Sequence, residues 1–317
     1  MKLIELCLTM AYDYKVNYTD VYSQVRCWDT IIYNHLLTKD IIIPPREDQI
    51  KDTQYEGAYV KDPQLGLHNW IVSFDLNSLY PHLIMQYNIS PETFVGTEPK
   101  AVGVENFLDE KLNLKWAKDR NVTIAPNGAM FKRDKQGFLP ELMEKMYTER
   151  VVYKKKAIEA KIEYQKTKDP IYSNEISRCH NIQMAKKISL NSAYGAIGNQ
   201  YFRYFDVKQA EAITLGGQLS IRWIERDVNK FMNKLLGTDN KNYVVASDTD
   251  SIYLKLDTLV EKVCKNKSTK QIVDFLDKAA EEKIQKVIDS SFENLAEYVN
   301  AYQQKMIMKR EAIANKG

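Results

Sequence analysis

The chain is 317 residues long, with 44% hydrophobic residues, 27% charged residues and a formal net charge of +3. That length suits about two domains, and that balance excludes a disordered or collagen-like chain. A surplus of +3 is too small to announce nucleic-acid binding by itself, but it is compatible with an enzyme that also holds acidic metal ligands.

The opening MKLIELCLTM breaks its apolar stretch at Glu5 and runs into Tyr12, Asp13 and Tyr14, not a small-residue cleavage site, which argues against secretion. No run approaches the roughly 18–20 apolar residues of a membrane span. Cys7, Cys27, Cys179 and Cys264 form no C-x-x-C pair, so free thiols in a reducing compartment are expected in place of a zinc or disulfide framework. Residues 19–37 carry Val21, Val25, Trp28, Ile32 and Leu36 at helical spacing, which predicts one amphipathic helix. Pro44-Pro45 then breaks the chain, and 46–69 is polar and turn-rich. WIVSF (70–74) reads as a buried strand that ends in Asp75, with Pro81 soon after. A carboxylate there is costly unless a cation or hydrogen bonds meet it.

Residues 140–168 and 174–198 read as two long charged helices joined near Asp169-Pro170, where the proline is expected to stop the first. Residues 141–190 hold eleven Lys/Arg against seven Asp/Glu, so the basic surplus is concentrated in this pair. Residues 208–236 form another helix, with Gly216-Gly217 as a point where close packing is available. YVVASDTDSIYLKL (243–256) is a hairpin signal, and 270–302 returns to helical periodicity. No internal repeat or low-complexity segment interrupts the chain.

Asp248-Thr249-Asp250 lies at the tip of that hairpin. Two carboxylates on a tight turn repel each other, and a divalent cation is the usual resolution. A bare D-x-D is also read as a solvated turn or as the signature of a nucleotide-sugar transferase; Asp75, a second acidic strand end, tilts the balance toward an oxygen-ligand metal site. Lys187, Asn191 and Tyr194-Gly195 share one helix face, with Lys186 and Arg178 nearby, and Arg150 and Lys154 make a similar i, i+4 pair. Each pair alone reads as a solvated face; together they suit a polyphosphate.

SFDLNSLYPHLIMQYNISPET (73–93), KKISLNSAYGAIGN (186–199) and SDTDSIYL (247–254) resemble motifs A, B and C of family B DNA polymerases, in the correct order. YEGAYVKDP (55–63), PNGAMF (126–131), FRYFD (202–206), WIER (223–226) and KREAIA (309–314) extend the likeness, within that family, to the replicative polymerases of T-even-type phages. The resemblance covers residues from about 12 to 314.

The resemblance implies a DNA-directed DNA polymerase that uses two Mg2+ ions, with Mn2+ as an alternative, held by Asp75 and Asp250 with the Leu76 carbonyl. It sets Asp248 beside the site and matches Glu311 to an acidic position near the metals. It gives Ser78 and Leu79 backbone N–H contacts to the triphosphate and makes Tyr80 the residue that excludes a ribose 2′-OH. Arg150, Lys154, Lys187 and Asn191 would grip the incoming triphosphate. Tyr194 and Gly195 would line the nascent base pair, and Tyr55, Gly57, Ala58 and Thr249 would meet DNA. The implied fold is α+β: a palm on a small antiparallel sheet with helical-hairpin fingers. The implied segments are 1–46 (trailing end of an N-terminal, exonuclease region), 47–136 (palm), 137–199 (fingers) and 200–317 (palm).

Four departures from the family are visible. Ala246-Ser247 replace the usual Tyr-Gly before the Asp-Thr-Asp; the stretch between Arg150 and Lys187 is short; no Asp-x-Glu proofreading motif occurs; and the chain stops at Gly317, before the family's lysine-tyrosine motif and thumb. A palm-plus-fingers fragment is therefore expected. Its partners would be primer–template DNA, dNTPs, a separate thumb-bearing chain, a sliding clamp and other replisome proteins, with no membrane, in the cytoplasm of an infected bacterial cell. The competing reading is a non-catalytic subunit that holds template or nucleotide and needs the thumb-bearing chain for turnover. A D-x-D glycosyltransferase fails on the Lys187–Asn191–Tyr194 helix and on the NSLYP turn, neither of which it requires.

Overall fold

WIVSF lies in the middle of a longer strand, residues 69–76, that is paired on both sides in an antiparallel sheet. The computed structural model describes residues 2–47, 49–51 and 53–316. In chain order the elements are α1 (Lys2–Tyr14), a 3-10 segment (Tyr18–Tyr22), α2 (Gln24–Leu37), β1 (Val60–Lys61), β2 (Asn69–Leu76), α3 (Leu79–Tyr87) and β3 (Phe94–Thr97). Then follow α4 (Val104–Leu108), α5 (Lys115–Asp119), β4 (Val122–Ile124), β5 (Ala129–Lys132), α6 (Phe138–Thr167), α7 (Pro170–Ile197) and α8 (Val207–Leu236). The chain closes with β6 (Val244–Asp248), β7 (Ser251–Lys255), α9 (Asp257–Val263), α10 (Thr269–Ala279), a π-helical segment (Ala280–Ile284), α11 (Gln285–Tyr298) and β8 (Met308–Lys316). This is an α+β fold. No helix among the described residues is long and apolar enough to cross a membrane.

The chain divides into two compact units. The first comprises residues 1–55, 88–93 and 135–210 and is helical. Its longest elements, α6 and α7, pack against each other, and α1 and α2 pack on α7. Pro170 does not stop the first long helix. Lys168 ends it in the left-handed region at φ +59, and Pro170 opens α7 behind the Asp169 cap, whose carboxylate accepts from the Ile171 N–H at 2.9 Å. The helix expected over 19–37 is likewise two pieces, because Ser23 leaves helical geometry to cap α2 from the Arg26 N–H.

The second unit comprises residues 56–87, 94–134 and 211–317. Its main sheet has the order β1-β6-β7-β2-β8, antiparallel throughout. β2 is paired on both sides and buried from Ile71 to Phe74, which is why its sequence is a nearly continuous apolar run, interrupted only by the small Ser73, and not an alternation. A second sheet, β3-β5-β4, was not legible in the sequence because its strands are only three or four residues long. Gly216 and Gly217 of α8 face α3 without being required for the approach: a Cβ on either would lie in ordinary van der Waals contact with Leu83 at 3.5 Å, and one on Gly217 would also touch the Tyr80 ring at 3.5 Å. The Trp223 ring of α8 stacks on Tyr298 and its indole N–H donates to the Ser291 carbonyl at 3.2 Å, which fastens α11. The helical periodicity expected over 270–302 is met by a continuous helical stretch from 269 to 298 whose residues 280–284 are π-helical.

Two glycines separate backbone need from packing need. Gly128 has φ +82, and a Cβ there would stand 2.6 Å from the Glu98 carbonyl oxygen. Gly128→Ala is expected to cost about 1–3 kcal/mol. Gly217 sits inside α8 with only ordinary contacts around its missing Cβ, so Gly217→Ala is expected to gain roughly 0.5–1 kcal/mol. Urea denaturation of the two variants checks both signs.

Candidate active site

Asp75 is the seventh residue of β2, and the ladder places it opposite Ser251 of β7 on one side and Lys309 of β8 on the other. The strand runs one residue past it: the Leu76 N–H donates to the Asp250 carbonyl at 2.8 Å. That bond ties the end of β2 to the β6–β7 turn, so Asp75 and Asp250 belong to one sheet edge although 175 residues separate them. Thr249 and Asp250 are the two loop residues, flanked by the Asp248↔Ser251 pair. The Thr249 N–H donates to the Tyr59 carbonyl at 3.0 Å, and the Asp250 N–H donates to the Asp248 carbonyl.

Three local irregularities sit on this edge. Thr249 has φ +46, an outlying conformation for a β-branched residue, and Ser78 has the same φ just after β2. The register of β8 against β2 jumps from Ala312↔Ser73 to Arg310↔Phe74, which leaves Glu311 as the extra residue of a bulge. A bulge re-aims the side chain it carries and bends its strand. Glu311 and Asp248 are exposed, whereas Asp75 and Asp250 are half-buried.

The electrostatics follow from this crowding. Burial pushes the Asp250 carboxyl above its ordinary value; its own backbone N–H opposes that, and the charges of Asp248 and Glu311 add to it. Anionic oxygens held near one another in this way suit a hard divalent cation, and a carboxylate pair with a backbone carbonyl is an oxygen donor set of the Mg2+ type. Among the described residues no group of three or more His, Cys, Asp or Glu forms a closed metal cage. An open site of one or two carboxylates that shares its ion with substrate phosphates needs none.

Other predicted residues of the second unit cluster around the same strand ends. Ser78 and Leu79 lie at the N-terminus of α3, where the first N–H groups have no partner inside the helix. The Tyr80 ring rests beside Gly217 of α8. Gly57 and Ala58 are exposed, and the Gly57 carbonyl accepts from the Gln218 amide at 2.7 Å. Lys61 is ion-paired with Glu225 and donates to the Val244 carbonyl at 2.8 Å, which fixes this segment against α8 and β6. Ser247, where the family has glycine, is buried, and its hydroxyl finds no hydrogen-bond partner among the described residues.

In the first unit Lys187, Asn191 and Gly195 are exposed on α7, Tyr194 is half-buried, Lys154 is exposed on α6 and Arg150 is half-buried. An ion pair between Glu149 of α6 and Lys186 of α7 at 2.7 Å sets these two helices side by side at the level of Arg150 and Lys187. Lys186 and Arg178 do not join the basic face. Lys186 is buried against Asp13 and Glu149, and Arg178 is held by Glu175 in the same helix. Tyr55 and Tyr194 together line an open cleft of about 560 Å³ with Lys51, Thr53 and Gln54. The Lys51 ammonium lies 5.0 Å from the Tyr55 ring centre. Lys51 was missed because it precedes the YEGAYV stretch in a segment without periodicity. A cavity of about 470 Å³ among α8, α9 and α10 is lined by residues such as Phe231, Leu235 and Phe275 and holds neither Asp75 nor Asp250.

Residues 16–310 match the model of DNA polymerase family B. The chain is 34% identical to the DNA-directed DNA polymerase of Escherichia phage RB69 and 31% identical to that of Enterobacteria phage T4, over 99% and 98% of its length. It is 30% identical to the DNA polymerase delta catalytic subunit of Drosophila melanogaster over 68% of its length. It spans 39% of each phage relative and 18% of the Drosophila protein.

The raised Asp250 carboxyl has a definite linkage sign. Its folded value lies above the unfolded one, so its ionisation costs stability as pH rises through the interval between them. Asp250→Asn is therefore expected to raise the metal-free melting temperature at pH 7.5 by roughly a few degrees. Added Mg2+ should stabilise the native chain and leave that variant unmoved. Differential scanning calorimetry with and without Mg2+ measures both effects.

Proposed function

The chain belongs to DNA polymerase family B, and on that premise we propose that it carries out template-directed DNA synthesis, transferring a nucleotidyl group from a dNTP to a primer 3′-hydroxyl. The observation that carries this reading is the Leu76–Asp250 hydrogen bond, which joins the strand of Asp75 to the Asp248-Thr249-Asp250 turn on one sheet edge.

Asp75 and Asp250, with the Leu76 carbonyl, would hold two divalent ions, Mg2+ with Mn2+ as the alternative. When bound, such ions activate the primer hydroxyl and neutralise the triphosphate and the leaving pyrophosphate. Asp248 and Glu311 would add negative charge at the rim. Asp250 is half-buried, so its own charge is screened less than theirs.

The Ser78 and Leu79 N–H groups, at a helix N-terminus, would receive phosphate oxygens. Arg150, Lys154, Lys187 and Asn191 would grip the triphosphate; the Glu149–Lys186 register of α6 and α7 supports their acting as one set. Tyr80 would fill the volume of a 2′-hydroxyl, and its seat beside Gly217 supports a fixed ring position. Tyr194 and Gly195 would line the nascent base pair. Tyr55, Gly57, Ala58 and Thr249 would meet DNA, and Lys51 over the Tyr55 ring adds a cation suited to phosphate. In domain terms, 47–136 and 200–317 are the proposed palm and 137–199 the proposed fingers. The two compact units support that partition in its main parts, since 137–199 falls in the first and most of 47–136 and 200–317 in the second, while 47–55, 88–93, 135–136 and 200–210 group with the first unit together with residues 1–46. Primer–template DNA and dNTPs are the proposed substrates, and a sliding clamp and other replisome proteins the proposed partners.

Single-nucleotide primer extension tests the reading. Asp75→Asn or Asp250→Asn should lower the rate by roughly 10²–10³-fold, and an Asp250→Asn chain with native activity would refute the site. Tyr80→Ala should raise ribonucleotide use relative to deoxyribonucleotide use by about 10–100-fold, as competition between rATP and dATP would show.

A further inference from the structure

Along one side of α7, successive turns from Ala185 to Ser192 are met by polar groups of α1, α2 and α6. The Tyr14 hydroxyl donates to the Ala185 carbonyl at 2.6 Å and is hydrogen-bonded to the Ser189 hydroxyl. The Lys186 ammonium is ion-paired with Asp13 and with Glu149, each at 2.7 Å. The Trp28 indole N–H donates to the Ser192 hydroxyl at 3.0 Å. Tyr14, Lys186 and Ser189 are all buried, whereas Lys187 and Asn191 point to solvent from the same turns.

Two physical arguments make this side of the helix more than packing. Of the five apolar residues that α7 buries between 185 and 197, three are alanines (Ala185, Ala193, Ala196) beside Leu190 and Ile197, and alanines define the rotation of a helix poorly. A buried ammonium tolerates only the geometry in which its carboxylates meet it, so it selects one register more than it adds stability. A slip of one residue in that register would turn every side chain by about 100° around the axis and swing Lys187 off its face.

We propose that Lys186, held by Asp13 and Glu149 and reinforced by the Tyr14–Ser189 contact, is a positioning residue that sets the rotation of α7 so that Lys187 and Asn191 present their side chains to the incoming triphosphate. This rests on the reading above in which Lys187 and Asn191 contact nucleotide. The segment before residue 46, read in the sequence as a trailing remnant, is then the brace of the nucleotide-gripping helix.

The test is titration of the 317-residue chain with mant-dATP, in the presence of Mg2+ and primer–template, with circular dichroism to verify folding. Lys186→Met should weaken binding by roughly tenfold, and Tyr14→Phe, which removes a single hydroxyl, should weaken it in the same direction. In a Lys187→Ala, Asn191→Ala background the Lys186→Met change should cost little more, because a residue that acts through those two has nothing left to position. If Lys186→Met does not fold, Tyr14→Phe alone and in that background carries the test. Native affinity in Lys186→Met and Tyr14→Phe, with Lys187→Ala impaired, would overturn the brace and leave the functional reading standing. A full additional loss in the Lys187→Ala, Asn191→Ala background would also overturn it. Native affinity in Lys187→Ala would instead overturn the functional reading itself.

Discussion

The molecule is organised around a repulsion that it does not relieve. Asp250 is half-buried beside the charges of Asp248 and Glu311, and the end of β2 brings Asp75 to the same edge. A fold selected for stability alone would separate such groups or hydrate them. Here a five-stranded antiparallel sheet holds them together, with β2 paired on both sides and buried along its middle. The ladder bonds and the apolar residues of WIVSF supply the rigidity that holds Asp250 near Asp248 and Glu311 despite their like charge. Electrostatic preorganisation of this kind costs nothing at the moment of reaction.

The places where local rules are broken support the same view. Thr249 and Ser78 take positive φ, Glu311 occupies a bulge, and Ser247 buries a hydroxyl without a partner. All four lie in or next to the strands that carry the carboxylates, while Ile71–Phe74 is buried throughout and paired on both sides. Irregularity also occurs elsewhere in the sheet, at Trp70 with φ +56 and in the β6–β7 register between Val244 and Ala246, so it is the coincidence with the carboxylates that marks this end of the strands.

Much of this is legible in the sequence. The apolar run ending in Asp75, the hairpin around Asp248–Asp250 and long helices over 140–168, 174–198 and 208–236 follow from periodicity and turn chemistry, with ends up to four residues from those of α6, α7 and α8, and three ordered motifs point to the family. What escaped the sequence has physical reasons. The strands of β3-β5-β4 are too short to show an alternation, and the π segment at 280–284 leaves the helical pattern of side chains nearly intact. Pro170 was read as a stop because a proline ends one helix as readily as it starts the next, and only the Asp169 cap distinguishes the two. Lys186 and Lys187 are adjacent and chemically identical in the sequence. Only tertiary structure shows that one is buried between two carboxylates and the other exposed.

Anomalous diffraction from crystals grown with Mn2+ and a dNTP tests whether the strand ends of Asp75 and Asp250 bind a divalent cation. An anomalous peak is expected at a coordination distance of roughly 2.0–2.2 Å from carboxylate oxygens of both Asp75 and Asp250. A peak bound elsewhere, with these strand ends empty at saturating Mn2+, would contradict that binding.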